Sequence, residues 1–159
     1  MATTTLDVTP LPETREEVEA IGKLLGANLQ SDIILGQAVS KANVESSPLE
    51  RFKIINFATH GVLANEVSGF AEPAVLLAAP TEIKSANDGV LTSTEIAQLK
   101  LDADLVILSA CNTAGSDGTP RAEGLSGLAN SFFYSGAKSI VVTQWEIPSK
   151  PAVEKKWLK

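Results

Sequence analysis

The 159-residue chain carries one cysteine, one histidine, one methionine and one tyrosine, and only 5% of it is aromatic. A lone cysteine cannot close an intrachain disulfide, so cysteine usage gives no sign of an oxidising compartment. One cysteine and one histidine also fall short of the three or four clustered ligands of a metal site, so no metal is expected. No apolar run approaches the ~20 residues that span a bilayer. Residues 1–10 have neither the basic start nor the apolar core of a secretory signal. The net charge of −6 leaves no basic stripe for nucleic acid. Gly115-Ser-Asp-Gly118 precedes a helical pattern, but neither GxxxxGK[ST] nor GxGxxG is present, so no nucleotide cofactor is expected. These absences together predict a cytoplasmic protein with no nucleic-acid, membrane, metal or cofactor partner.

What is present is an ordinary globular composition, 44% hydrophobic and 20% charged. A single domain of this length buries roughly 70% of its unfolded surface. Thr14-Arg-Glu-Glu17 reads as a capping box, in which Glu17 reaches back to the N-cap amide. Val18, Ile21, Leu24 and Leu25 then follow at helical spacing, and Gly26 is the stop. Residues 33–35 read as a short strand and 37–44 as a second helix. A near-continuous apolar run over 52–59 suits a strand covered on both faces, with a loop from Gly61 onward. Residues 74–78 are a further strand candidate. Asn87-Asp88-Gly89 is a turn signal, and Thr92-Ser-Thr-Glu95 is a second capping box. Residues 105–110 and 139–145 are two more strands. Between them Thr119 and Pro120 open a helix with Leu125, Leu128, Phe132 and Phe133 on its apolar side, closed by Gly136. Strands alternating with helical patterns predict an α/β fold with a mostly parallel sheet.

The lone histidine and the lone cysteine stand in equivalent places. His60 follows the strand over 52–59, and Cys111 follows the strand over 105–110. In open parallel sheets, chemistry sits outside the carboxyl ends of the strands. A free thiol has a pKa of ~8.5 and is mostly protonated at neutral pH. An adjacent imidazole raises the thiolate fraction and can later protonate a leaving amine. The tetrahedral intermediate of such a reaction needs backbone N–H donors. Gly61, without a Cβ, lets the main chain come close, so the amides of Gly61 and Cys111 are the candidate oxyanion hole. The plainer reading of each residue is that a lone cysteine is a small buried hydrophobe and a lone histidine a structural or surface residue. Joint placement at two strand ends weighs against that reading.

Caspases place a histidine ~50 residues before an Ala-Cys pair; here Ala110-Cys111 has Cys111 standing 51 positions after His60. Further segments make a wider resemblance. Ala58-Thr-His-Gly61, Asp88-Gly-Val-Leu-Thr-Ser-Thr-Glu-Ile96 and Leu105-Val-Ile-Leu-Ser-Ala-Cys-Asn-Thr113 resemble ordered motifs of the CHAT family. That family comprises caspase-like peptidase domains of the clan that also holds separases, gingipains and clostripain. Glu123-Gly-Leu-Ser-Gly-Leu-Ala129, Gly136-Ala-Lys-Ser139, the Trp145 strand and the helix that follows Leu11-Pro-Glu-Thr14 keep the family order.

The resemblance implies a caspase-like three-layer sandwich, a mostly parallel central sheet with helices on both faces. It implies a cysteine peptidase acting on a protein or peptide substrate, with His60 as general base and Cys111 as nucleophile. Asp117 and Glu123 are candidates for recognising a basic P1 side chain, against the plainer reading that they solvate a loop and a helix start. Trp145 resembles the position that edges the caspase cleft and could equally be a partly buried aromatic. The expected division is a disordered segment over 1–10, the CHAT-like domain over 11–149 and a basic tail over 150–159, the domain being shortened at both ends. TPR repeats often accompany this domain, and a longer parent protein could carry them. The alternative reading is an inactive fragment acting as a protein-interaction module.

Overall fold

The computed structural model describes residues 13–64, 71–79, 88–111 and 122–142, with the side chains of Glu13, Ala110, Cys111 and residues 122–125 outside that description. Five strands form one sheet: β1 (Ile54–Val62), β2 (Ala74–Leu76), β3 (Val90–Thr92), β4 (Leu105–Cys111) and β5 (Ile140–Val142). Their order is β3-β2-β1-β4-β5. β1 pairs in parallel with β4, and β4 with β5, while β2 is antiparallel to both β1 and β3. Four of the five strands therefore point the same way, as the alternating pattern predicts.

Among the described residues four α-helices accompany the sheet: α1 (Glu13–Leu25), α2 (Lys41–Ser46), α3 (Ser93–Gln98) and α4 (Ala122–Ser135). Two contacts show that α1 and α4 cover opposite faces. Ser109 on β4 hydrogen-bonds Glu17 on α1, whereas Phe57 on β1 packs on Phe132 of α4 with ring centroids 5.3 Å apart. Phe57 is the register partner of Leu108, the neighbour of Ser109. Successive strand residues point to opposite faces, so Ser109 and Leu108 look to different layers. The three-layer arrangement follows from these two pairs.

The main core lies on the α4 side. Val106, Leu108, Val75, Leu91, Ile96, Leu128 and Phe132 are all fully buried there. Each such side chain contributes ~1.5–3 kcal/mol of burial. The α1 side is thinner. Ile21 is buried, but Leu24 and Leu25 are 74% and 50% exposed, so the expected apolar face of that helix is only partly used.

Several local expectations are corrected. α1 begins at Glu13, which places Thr14 inside the helix; Glu17 turns to Ser109 rather than back to an N-cap. Residues 33–35 form no strand, although Leu35 is extended. The second helix starts later, at Lys41, because Ser40 accepts the cap hydrogen bond from the Asn43 amide. β1 does not stop before the histidine. It runs through Gly61 and Val62 because β2 supplies partners for both in Val75 and Ala74. The strand Val90–Thr92 carries no separate signal in the sequence beyond the turn before it. The capping box at Thr92 and Glu95 is present in both directions, and Gly26 and Gly136 both have positive φ, as helix stops of this kind require.

Charges gather at the amino ends of the strands. Lys53 pairs with Asp102, and Lys138 pairs with Asp104 at 2.6 Å and Asp102 at 3.7 Å. The hydrogen bond and charge of Lys53, with Lys138 behind it, hold the Asp102 carboxyl below its usual range. Among the described residues, no helix is long and apolar enough to cross a membrane.

Candidate active site

The end of the sheet opposite those charges brings the two rare residues together. His60 and Cys111 are register partners in the parallel β1–β4 pair. Paired positions on adjacent strands lie ~4.8 Å apart and belong to one face of the sheet. β1 and β4 hold seven consecutive register pairs from Ile54–Leu105 up to His60–Cys111. A one-residue slip along that ladder would put the two positions on opposite faces, so the ladder itself specifies their juxtaposition.

The surroundings fix the end of β1 from both sides. The Thr59 hydroxyl donates to the Leu76 carbonyl on β2. Gly61 is buried and pairs with Val75. His60 itself is half-buried. On β4, Ser109 is 8% exposed, and its hydroxyl donates to the Glu17 carboxylate at 2.8 Å. Ser109 is the register partner of Ala58, two positions before the His60–Cys111 pair and on the same face. The Glu17–Ser109 link joins residues 92 positions apart. No local pattern announces it, and residue spacing alone reads Glu17 as a cap.

A cavity of about 610 Å³ lies beside β1, walled among others by Val18 of α1, by Ile33 and Leu35, and by Asn56, Ala58 and Leu77. The Asn56 side-chain amide is buried, and among the described residues neither its nitrogen nor its oxygen has a hydrogen-bond partner. Ala58 connects this cavity wall to the strand end, two positions before His60.

Of the expected site residues, His60, Gly61 and the backbone of Cys111 converge. The Cys111 side chain lies outside the description. Glu123 belongs to α4, its side chain likewise outside the description. Asp117 and Trp145 lie outside the described residues. Among the described residues no group of three or more His, Cys, Asp or Glu side chains gathers to hold a metal.

The arrangement is one that acyl-transfer chemistry can use: a thiol position and an imidazole on adjacent strand ends, with main-chain amides of a buried glycine and of the cysteine itself beside them. Among known proteins, tetratricopeptide repeat protein 28 of mouse is 26% identical to this chain over an alignment of 166 positions, gaps included, that covers 87% of the chain. The human protein of that name is 25% identical over the same share. The chain spans about 6% of the length of either relative. No solved structure matches. The CHAT domain model matches residues 1–154, and with nearly the whole chain covered, the protein belongs to the CHAT domain family.

Proposed function

We propose that the chain is a caspase-like cysteine peptidase that hydrolyses peptide bonds in a protein substrate. The observation that supports this reading best is the register pairing of His60 with Cys111 at the carboxyl ends of two adjacent parallel strands. His60 takes the Cys111 proton, and the sulfur attacks the scissile carbonyl carbon. The resulting oxyanion is held by the Gly61 and Cys111 amides. Collapse breaks the C–N bond, and the imidazolium passes its proton to the leaving amine, leaving a thioester on Cys111. Water, deprotonated by His60, then attacks the thioester carbon and releases the acid and the thiol. Asp117, Glu123 and Trp145 are proposed to line the substrate side. The relatives named for tetratricopeptide repeats favour a longer parent protein that carries such repeats.

The test is labelling of the intact chain with a peptidyl chloromethyl ketone, followed by peptide mass mapping. Cys111 should carry the adduct, and His60→Ala should slow labelling by at least ~100-fold, the usual contribution of a positioned base. Equal rates in the two proteins would sink the dyad. The second reading is an inactive fragment that serves as a protein-interaction module. It predicts a cooperatively folded chain that the probe does not label.

A further inference from the structure

The geometry points to Glu17 as a positioning residue for the Cys111 nucleophile, acting through the Ser109 hydroxyl; this inference rests on the cysteine-peptidase reading above. Glu17 belongs to the first helix and Ser109 to the strand that carries the nucleophile, yet the two meet at 2.8 Å. Ser109 is buried at 8% exposure, on a strand whose other buried positions among the described side chains, Val106, Ile107 and Leu108, are aliphatic. An aliphatic side chain there would bury apolar surface without drawing a carboxylate in from water. The polar pair instead adds a directional, charge-assisted bond, roughly twice as strong as a neutral one.

Its place on β4 gives that bond its consequence. Ser109 lies two residues before Cys111, ~6.6 Å along the strand and on the same face. Among the described side chains of β4, it is the one nearest the nucleophile on that face. Helix α1 spans thirteen residues, and its Ile21 is buried. Through Glu17 it fixes the height of the β4 end, and with it the Cys111 amide that serves the oxyanion. A misplacement of ~1 Å in such a site costs on the order of 100-fold in rate. Glu17 has no role in the chemical steps and is not assigned contact with substrate.

The experiment compares Glu17→Ala, Glu17→Gln and Ser109→Ala with the wild type in the full chain. It measures the saturating rate and the half-saturating concentration of Cys111 labelling by the peptidyl chloromethyl ketone, with melting midpoints recorded alongside. Glu17→Ala and Ser109→Ala should each lower the saturating rate about tenfold while leaving the half-saturating concentration unchanged, a partial loss within the range of displaced sites. Glu17→Gln, whose amide oxygen still accepts from Ser109, should restore most of the rate. The double variant Glu17→Ala/Ser109→Ala should be no slower than either single one, because both remove the same bond. Ser109→Ala deletes one oxygen and carries the test if Glu17→Ala does not fold. Wild-type rates in Ser109→Ala, or equal loss in Glu17→Gln and Glu17→Ala, overturn the inference while His60-dependent labelling keeps the dyad intact. Labelling that ignores His60→Ala removes the dyad and this role with it.

Discussion

His60 and Cys111 occupy opposite positions at the end of a parallel ladder seven pairs long, and this relationship can be tested without any catalysis. Disulfides form between residues whose Cα atoms lie ~4.4–6.8 Å apart with side chains on the same side. Paired positions on adjacent strands meet that distance, at ~4.8 Å. His60→Cys should therefore form a bridge to Cys111 on mild oxidation, seen as the loss of two hydrogens in the intact mass. Thr59→Cys, one step along the strand and on the other face, should stay reduced. Bridging of Thr59→Cys in place of His60→Cys would mean that the register is shifted.

Gly136 closes α4 with φ +114, and a Cβ built there would lie 2.1 Å from the Leu101 carbonyl oxygen. That carbonyl cannot swing away freely, because the Leu101 amide is tied to the Ser135 oxygen at 2.8 Å. Gly136→Ala should thus cost more than ~2 kcal/mol, combining left-handed strain with a main-chain collision. Gly26 is the useful contrast. It too has positive φ, +74, but no described atom lies within 4 Å of its would-be Cβ. Gly26→Ala should cost only the ~1–2 kcal/mol of the backbone conformation. Urea unfolding of the two variants, read as a shift in midpoint, distinguishes them.

The same two glycines show what could be read without coordinates. A glycine after an apolar helical stretch is a local signal with a local cause, and both stops are where the pattern puts them. The capping box at Thr92 and Glu95 is legible for the same reason. So is the parallel core, since β1, β4 and β5 are nearly unbroken apolar runs. Strand ends were harder to read. β1 continues through His60, Gly61 and Val62 because β2 offers Val75 and Ala74, a partnership made in space by residues that follow an intervening loop. Glu17 fails in the same way: its spacing from Thr14 satisfies a cap, while its actual partner is 92 residues distant. For the site, the rarity of cysteine and histidine singles out two strand ends that the β1–β4 ladder pairs, but the bond beneath Cys111 has no signature to find.

Asn56 is the polar residue of β1 whose burial has no visible compensation. Both polar atoms of its amide are buried without a partner among the described residues, in the wall of a cavity also lined by Val18, Ile33, Leu35 and Leu77. An unsatisfied buried amide costs ~1–3 kcal/mol, and leucine is close to asparagine in shape. Asn56→Leu should raise stability by about 1–2 kcal/mol, checked by urea titration at neutral pH. A loss of stability would show that the amide finds a partner in solution, such as water entering the cavity.

Glu72 gives the fold a predictable acid limb. Burial pushes its carboxyl up, but hydrogen bonds from the Ser93 hydroxyl, the Thr94 hydroxyl and amide, and Thr92 outweigh that, so the group sits below its ordinary value of 4.5. The bonds are short: 2.6 Å from Ser93 Oγ, 2.7 Å from Thr94 Oγ1 and 2.8 Å from the Thr94 amide. They tie the segment before β2 to the start of α3. A carboxyl depressed in the folded state adds stability above its unfolded pKa, and that stability disappears as pH falls through the folded one. Glu72→Gln should therefore melt at a lower temperature than wild type at pH 7. The gap should close progressively below about pH 4.5, the ordinary carboxyl value. Melting curves at intervals from neutral pH to pH ~3 would show the convergence, and a gap that stays constant across that range would mean that the Glu72 charge takes no part in holding α3 to the sheet.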